Sequence, residues 1–225
     1  MATRFYFSAD PETTPIQPTP STQWETTTGF ERVGLSTSIR YTDHVTGIFS
    51  DSNQVDRDCL LRQYISYPLT TGLIVNELQS VKGQFRCNEP NAGNNMFLAI
   101  GIRIISGGGT IVRKTLVPVT RGGSEFSDGA PLVNRSFAET TASGDYTVQA
   151  GDRLVVEVGA GGDPGGAGSS HSYRIRFGDK ELGDLPEDQA NQNDLNPWLE
   201  FPDQTLTFVS GESPRAMHQY RQRRV

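Results

Sequence analysis

The sequence predicts an all-β fold, an antiparallel β-sandwich of jelly-roll type with extended N-terminal and C-terminal arms. Three observations lead there. Short runs alternate apolar and polar residues with period two. Turn signals separate these runs, drawn from 24 glycines and 13 prolines in 225 residues. No amphipathic stretch of 3.6-residue period exceeds about two turns, so helix is expected to be scarce. Short strands at regular spacing, with turn residues between them, define a sandwich or a barrel.

Taken in order, residues 4–7 are the first candidate strand. Residues 8–28 hold Pro11, Pro15, Pro18 and Pro20 among many threonines and read as an extended arm or wrapping loop. Strands are expected at 61–67 and 73–79, then at Val81-Lys-Gly-Gln-Phe-Arg-Cys87, where Lys82, Gln84 and Arg86 form a wet face. Leu98, Ile100, Ile102 and Ile104 make the richest apolar row, a central strand buried on at least one side. Ser106-Gly-Gly-Gly109 is a hairpin loop leading to 111–119. A strand at 145–149 turns through Ala150-Gly-Asp152 into Leu154, Val156 and Val158. Gly159 to Ser170 reads as a glycine-rich surface loop, and Tyr173–Phe177 as another alternating strand. Residues 178–203 are acidic and irregular, and 204–209 is the last candidate strand. In the tail, Arg215, Arg221, Arg223 and Arg224 stand against Glu212, a surplus of three positive charges. The organisation expected is one sandwich domain over 1–209 and a basic tail over 210–225.

The chain is 35% hydrophobic and 20% charged, with a formal net charge of -6. Its pI near 5.1 and mean hydropathy of -0.46 speak against broad phosphate-backbone binding, and no window approaches a membrane span. The first residues lack an apolar core for a secretory signal, so synthesis in a cytoplasm is expected and the Asn134-Arg-Ser136 sequon carries little meaning. Cys59 and Cys87 leave a bridge open, but Cys87 in its alternating run is expected to pack as a small buried hydrophobe. His44, His171 and His218 share no metal-ligand spacing and are expected at the surface. Asp179, Asp184, Glu187 and Asp188 suit a hard cation by chemistry but miss the spacing of a known calcium loop, so a solvated face is the expectation there. The glycine loop lacks the ending of a phosphate-binding loop. Trp24 and Trp198 offer rings for sugar stacking, yet both sit in irregular segments where a large ring pins a loop to the sandwich, which is the favoured reading. No convergent acid–base pair is visible, so the chain is expected not to be an enzyme, with no catalytic, cofactor or metal residues.

Several stretches together resemble a family of virion structural proteins of tailed bacteriophages. They are Arg4-Phe-Tyr-Phe7, Trp24-Glu25, Arg62-Gln-Tyr-Ile-Ser66 with Pro68-Leu69, Val81–Cys87, Asn134-Arg-Ser-Phe137, Gly151-Asp-Arg-Leu-Val-Val-Glu-Val-Gly159, Phe177-Gly-Asp179, Asp184-Leu-Pro-Glu-Asp188 and Asn196-Pro-Trp-Leu-Glu-Phe201. The resemblance spans most of residues 4–208, and the arm and the tail depart from it. It implies a place in the virion and no reaction. A capsid decoration or cement protein on the outer capsid surface, bound to the major capsid protein and itself a homo-oligomer (a trimer foremost), is the first expectation. A tail, neck or fibre component, or a carbohydrate-binding module for host attachment, are the alternatives. Contact with nucleic acid or membrane is not expected. Arg215, Arg221, Arg223, Arg224 and Trp24 are the candidate partner-binding residues, because unstructured arms can wrap several subunits at once.

Overall fold

A computed structural model describes residues 2–8, 14, 16–38, 45–52, 55–90, 93–129, 131–162, 171–178, 183–189 and 195–209. Among them the chain forms thirteen strands and no helix. These are β1 (Thr3–Tyr6), β2 (Glu31–Gly34), β3 (Val45–Asp51), β4 (Arg57–Pro68), β5 (Ile74–Val75), β6 (Ser80–Asn88) and β7 (Met96–Ile105). They continue with β8 (Val112–Glu125), β9 (Val133–Thr140), β10 (Tyr146–Thr147), β11 (Arg153–Gly162), β12 (His171–Phe177) and β13 (Trp198–Phe201).

Eight of these strands build the sandwich, and their pairing is that of a long hairpin rolled up. β3 pairs with β12, β4 with β11, β6 with β9 and β7 with β8, all antiparallel. The roll closes where β12 also pairs with β6 and β11 with β7. One sheet therefore runs β3-β12-β6-β9 and the other β4-β11-β7-β8, which is the jelly-roll order. The remaining strands decorate it. β9 lies along one edge of β6, and β12 shares the other edge with β13, which carries β1 outward. β2 joins β4 in parallel, the one parallel ladder among the described strands. β5 and β10 form a small separate ribbon.

The inner faces interlock through aromatic rings. Phe7 stands 4.7 Å from Tyr64 of one sheet and 4.8 Å from Phe85 of the other, and Tyr173 stacks on Phe49 at 5.3 Å. Each such ring, removed from water, contributes about 2–3 kcal/mol of transfer free energy. Cys59 and Cys87 are free and buried in the same core, and burial pushes the Cys87 thiol far above its ordinary range.

Three departures from the sequence reading have physical causes. The glycine stretch expected to be a surface loop from Gly159 is instead the buried end of β11 as far as Gly162, and 163–170 lie outside the described residues. A Cβ at Gly159 would overlap the Cys59 carbonyl, and one at Gly162 the Asn95 carbonyl, so close backbone approach and not looseness selects glycine here. The acidic irregular segment contains β13, whose Trp198, Leu199 and Phe201 are buried. Conversely, 73–79 and 145–149 shorten to the two-residue β5 and β10, and 204–209 makes a single bridge, Phe208 to Leu69.

Candidate functional site

The outer face of the β4-β11-β7 sheet is not open, because the N-terminal arm lies across it. Glu157 on β11 is fully buried and accepts hydrogen bonds from Arg103 Nη2 at 2.6 Å, Trp24 Nε1 at 2.9 Å, Gln63 Nε2 at 2.9 Å and the Ser21 amide at 3.1 Å. Arg103 also donates to the Thr19 carbonyl, and Arg32 to that of Pro18 at 3.2 Å. Trp24 packs on Leu60 and Ala99, and Ile16 on Ile65, Ile105 and Val155. A buried carboxylate is tolerable only when ringed by donors, and here the arm supplies half of them. Trp24 is thus a pin, as the sequence favoured, and its ring is only 4% exposed.

Three described carboxylates of the acidic segment, Asp184, Glu187 and Glu200, are paired with cationic side chains. Arg4 reaches Asp184 at 2.5 Å and Glu200 at 2.7 Å, while Lys82 reaches Glu187 at 2.6 Å. Arg4 lies 4.0 Å over the Trp198 ring, whose indole donates to the Leu185 carbonyl at 2.7 Å. Trp198 therefore pins its loop too. A depression of about 300 Å³ beside it, lined by Lys82, Gln84, Ser136 and Gln189, offers amides and a hydroxyl but no open ring face. Asp179, His44, His218, Arg215, Arg221, Arg223 and Arg224 lie outside the described residues. His171, expected at the surface, is buried on β12 and donates from Nε2 to the Gly162 carbonyl at 2.8 Å.

The two ends of the sandwich differ in chemistry. The loops 69–79, 106–111 and 141–152 meet at one end, and Val209 is fastened there by its amide to the Pro68 carbonyl at 2.8 Å. Ile74, Leu78, Ile111, Val112 and Val209 are all about half or more exposed at this end, five of the seven large apolar side chains exposed among the described residues. Leu78 also has φ of 52°, a left-handed conformation that costs a branched side chain about 1–2 kcal/mol.

At the other end, the described residues that follow β6 and β8 meet around Glu89 and Asp128. Glu89 bridges to Asp128, donates its amide to the Ser127 carbonyl at 3.0 Å, and accepts the Gly129 amide on its own carbonyl at 2.7 Å. Its side chain is buried, with Oε2 accepting the Met96 amide at 2.8 Å. Burial first, then the Asp128 and Glu125 carboxylates, push Glu89 from the ordinary 4.5 up to about 7. Sequence reasoning missed this pair because its members lie 39 positions apart in chain order and meet only through the roll of the strands.

No family model matches the chain, and no curated protein does. Among solved structures, a CocE/NonD family hydrolase from Staphylococcus aureus is similar over 90% of this chain, with 10% identity and a TM-score of 0.45. An α-amino acid ester hydrolase is similar over 89%, with 11% identity and a TM-score of 0.49. The chain spans 36% of the length of each of these proteins. The Gx strain of infectious bursal disease virus supplies a further match over 82% of the chain, at 9% identity and a TM-score of 0.25. The expectation that the chain is not an enzyme is withdrawn in the face of these two hydrolase matches, whose TM-scores below 0.5 assign the chain no activity of its own.

Proposed function

We propose that the chain is a virion structural protein that docks onto the particle by its apolar loop end, foremost as a capsid decoration protein seated on the outer shell. The observation that carries this reading is the gathering of Ile74, Leu78, Ile111, Val112 and Val209 at one end of a jelly roll. Exposed apolar side chains return nothing to the isolated fold, whereas each one covered by a partner contributes up to about 2 kcal/mol. Val209, fastened at that end, is followed in sequence by the basic segment 210–225, and in this reading its arginines pair with carboxylates of the partner. The motif resemblance to phage virion proteins agrees with this, as does the use of double-sheet jelly rolls in capsid shells, which is an association of fold and not of site. Repetition over a symmetric lattice, with three copies meeting about a local axis, makes weak contacts add up.

A quantitative gel of purified particles tests it. A band comparable in copy number with the major capsid protein is the expected result. A handful of copies places the chain in the neck, tail or fibre, and its absence from particles overturns the reading.

A further inference from the structure

The register of three neighbouring strands builds a polar hollow on the outer face of the sheet that contains β6. Val81, Phe85 and Cys87 of β6 point into the core, so Lys82 and Gln84 face outward. Trp198 of β13, Gln84 and Ser136 of β9 lie side by side in one row, and Glu200, Lys82 and Ala138 in the next. The short side chains of Ser136 and Ala138 beside the long ones of Gln84 and Lys82 leave the depression of about 300 Å³. Residues 187–189 wall it and are held in place. Glu187 accepts from Lys82 Nζ at 2.6 Å, the Gln189 carbonyl accepts from Arg135 Nη1 at 2.7 Å, and the Gln189 amide exchanges hydrogen bonds with Ser136. Gln84 lines the hollow from within the sheet. It is only 2% exposed, and its Oε1 is buried without a hydrogen-bond partner. Other buried polar atoms lack partners too, but this one belongs to a hollow with further hydrogen-bonding groups around it. Half a turn about χ3, a soft torsion in glutamine, exchanges acceptor for donor, so the amide can offer either.

We propose that this hollow binds a single neutral sugar ring, the end residue of a glycan. Hydroxyls that both donate and accept at close spacing complement an amide, the Ser136 hydroxyl and the Glu187 carboxylate together. The volume stands at the low end of the range for ligand pockets and admits one ring, not a chain of them. Charge selects a neutral ligand. Lys82 is answered by Glu187 and, at 3.6 Å, by Glu200, and Asp188 adds a further carboxylate to the lining, so phosphate and acidic sugars are disfavoured. The Trp198 ring is 1% exposed, with Arg4 4.0 Å over its centroid, and offers no stacking face. Recognition therefore rests on hydrogen bonds, and the dissociation constant should be on the order of 1 mM. The site is separate from the docking reading and is tested on the free chain.

The test follows backbone and side-chain amide NMR signals of the full chain as D-glucose, D-galactose and N-acetyl-D-glucosamine, and then their methyl glycosides, are added. Shifts should gather at Lys82, Gln84, Ser136 and Gln189 and saturate as one site. Binding of a methyl glycoside supports a glycan end as the ligand, and binding of the free sugars alone overturns that source. Gln84→Met keeps the shape and removes an amide whose oxygen the fold leaves unbonded, so Tm should be unchanged or higher while binding weakens at least about tenfold. Ala138→Leu fills the hollow from an exposed position and should abolish binding in a chain that unfolds normally. Absence of a saturable shift with every sugar overturns the proposal, as does an equal response to glycerol or an affinity that both variants retain.

Discussion

The two ends of this jelly roll are built from loops of the same strands, yet they solve opposite problems. The end around Glu89 and Asp128 is closed inward, with Glu89 buried and His171 buried on the Gly162 carbonyl. Arg121 extends that closure by holding Asp56 and Asp58, each at 2.7 Å. The end at 69–79, 106–111 and 141–152 turns apolar side chains outward and holds Leu78 in a left-handed conformation that branched residues avoid. The strands between them have fixed partners, so only the loops were free to diverge. The difference teaches that one end buries charged and polar groups while the other leaves large aliphatic side chains in solvent.

The contrast can be broken most strongly through glycine. Gly162→Ala drives a Cβ into the Asn95 carbonyl and should cost about 3 kcal/mol or more in urea unfolding, whereas Gly108→Ala at the apolar end meets nothing within 4 Å and should stay within about 0.5 kcal/mol. A smaller effect separates the ends by pH. Glu89 holds its proton in the folded chain up to about 7 but releases it near 4.5 when unfolded. Between those values the folded state binds more protons at Glu89, so the contribution of this group to stability is fully present below pH 4.5 and is lost as pH rises through 7. The loss should be on the order of 2 kcal/mol. Glu89→Gln should flatten that stretch of the stability profile, and an unchanged slope would place its origin elsewhere.

At the apolar end the expected effects on the isolated chain are slight or favourable. Leu78→Asn relieves the left-handed strain, since asparagine tolerates that conformation, and should stabilise the free protein by about 0.5 kcal/mol while lowering its occupancy on particles. Removing 211–225 should leave unfolding within about 0.5 kcal/mol and weaken incorporation, and normal incorporation would deny the tail its role.

Much of the fold was legible because burial on one sheet face writes itself as period two. The rows at 81–87, 98–104, 154–158 and 173–177 all fall within sandwich strands. β9 hid because only Val133, Asn134 and Phe137 are buried in it, which breaks the alternation, and β3 because its glycine and polar residues dilute the signal. Glu157 stood on the wet side of its strand by pattern, yet the arm covers it, and no local rule foresees a segment more than 130 positions away supplying donors to a carboxylate. The acidic segment drew attention as a cation site because its carboxylates cluster in sequence, while Arg4 and Lys82, which pair with them, lie far away in the chain.

Amide hydrogen exchange of the chain free and bound to purified particles tests the docking account most directly. New protection should gather in 70–79, 106–112 and 141–147, with the loops 89–95 and 126–129 exchanging as before. Protection confined to the polar end or to the sheet faces, with the apolar loops unchanged, would contradict it.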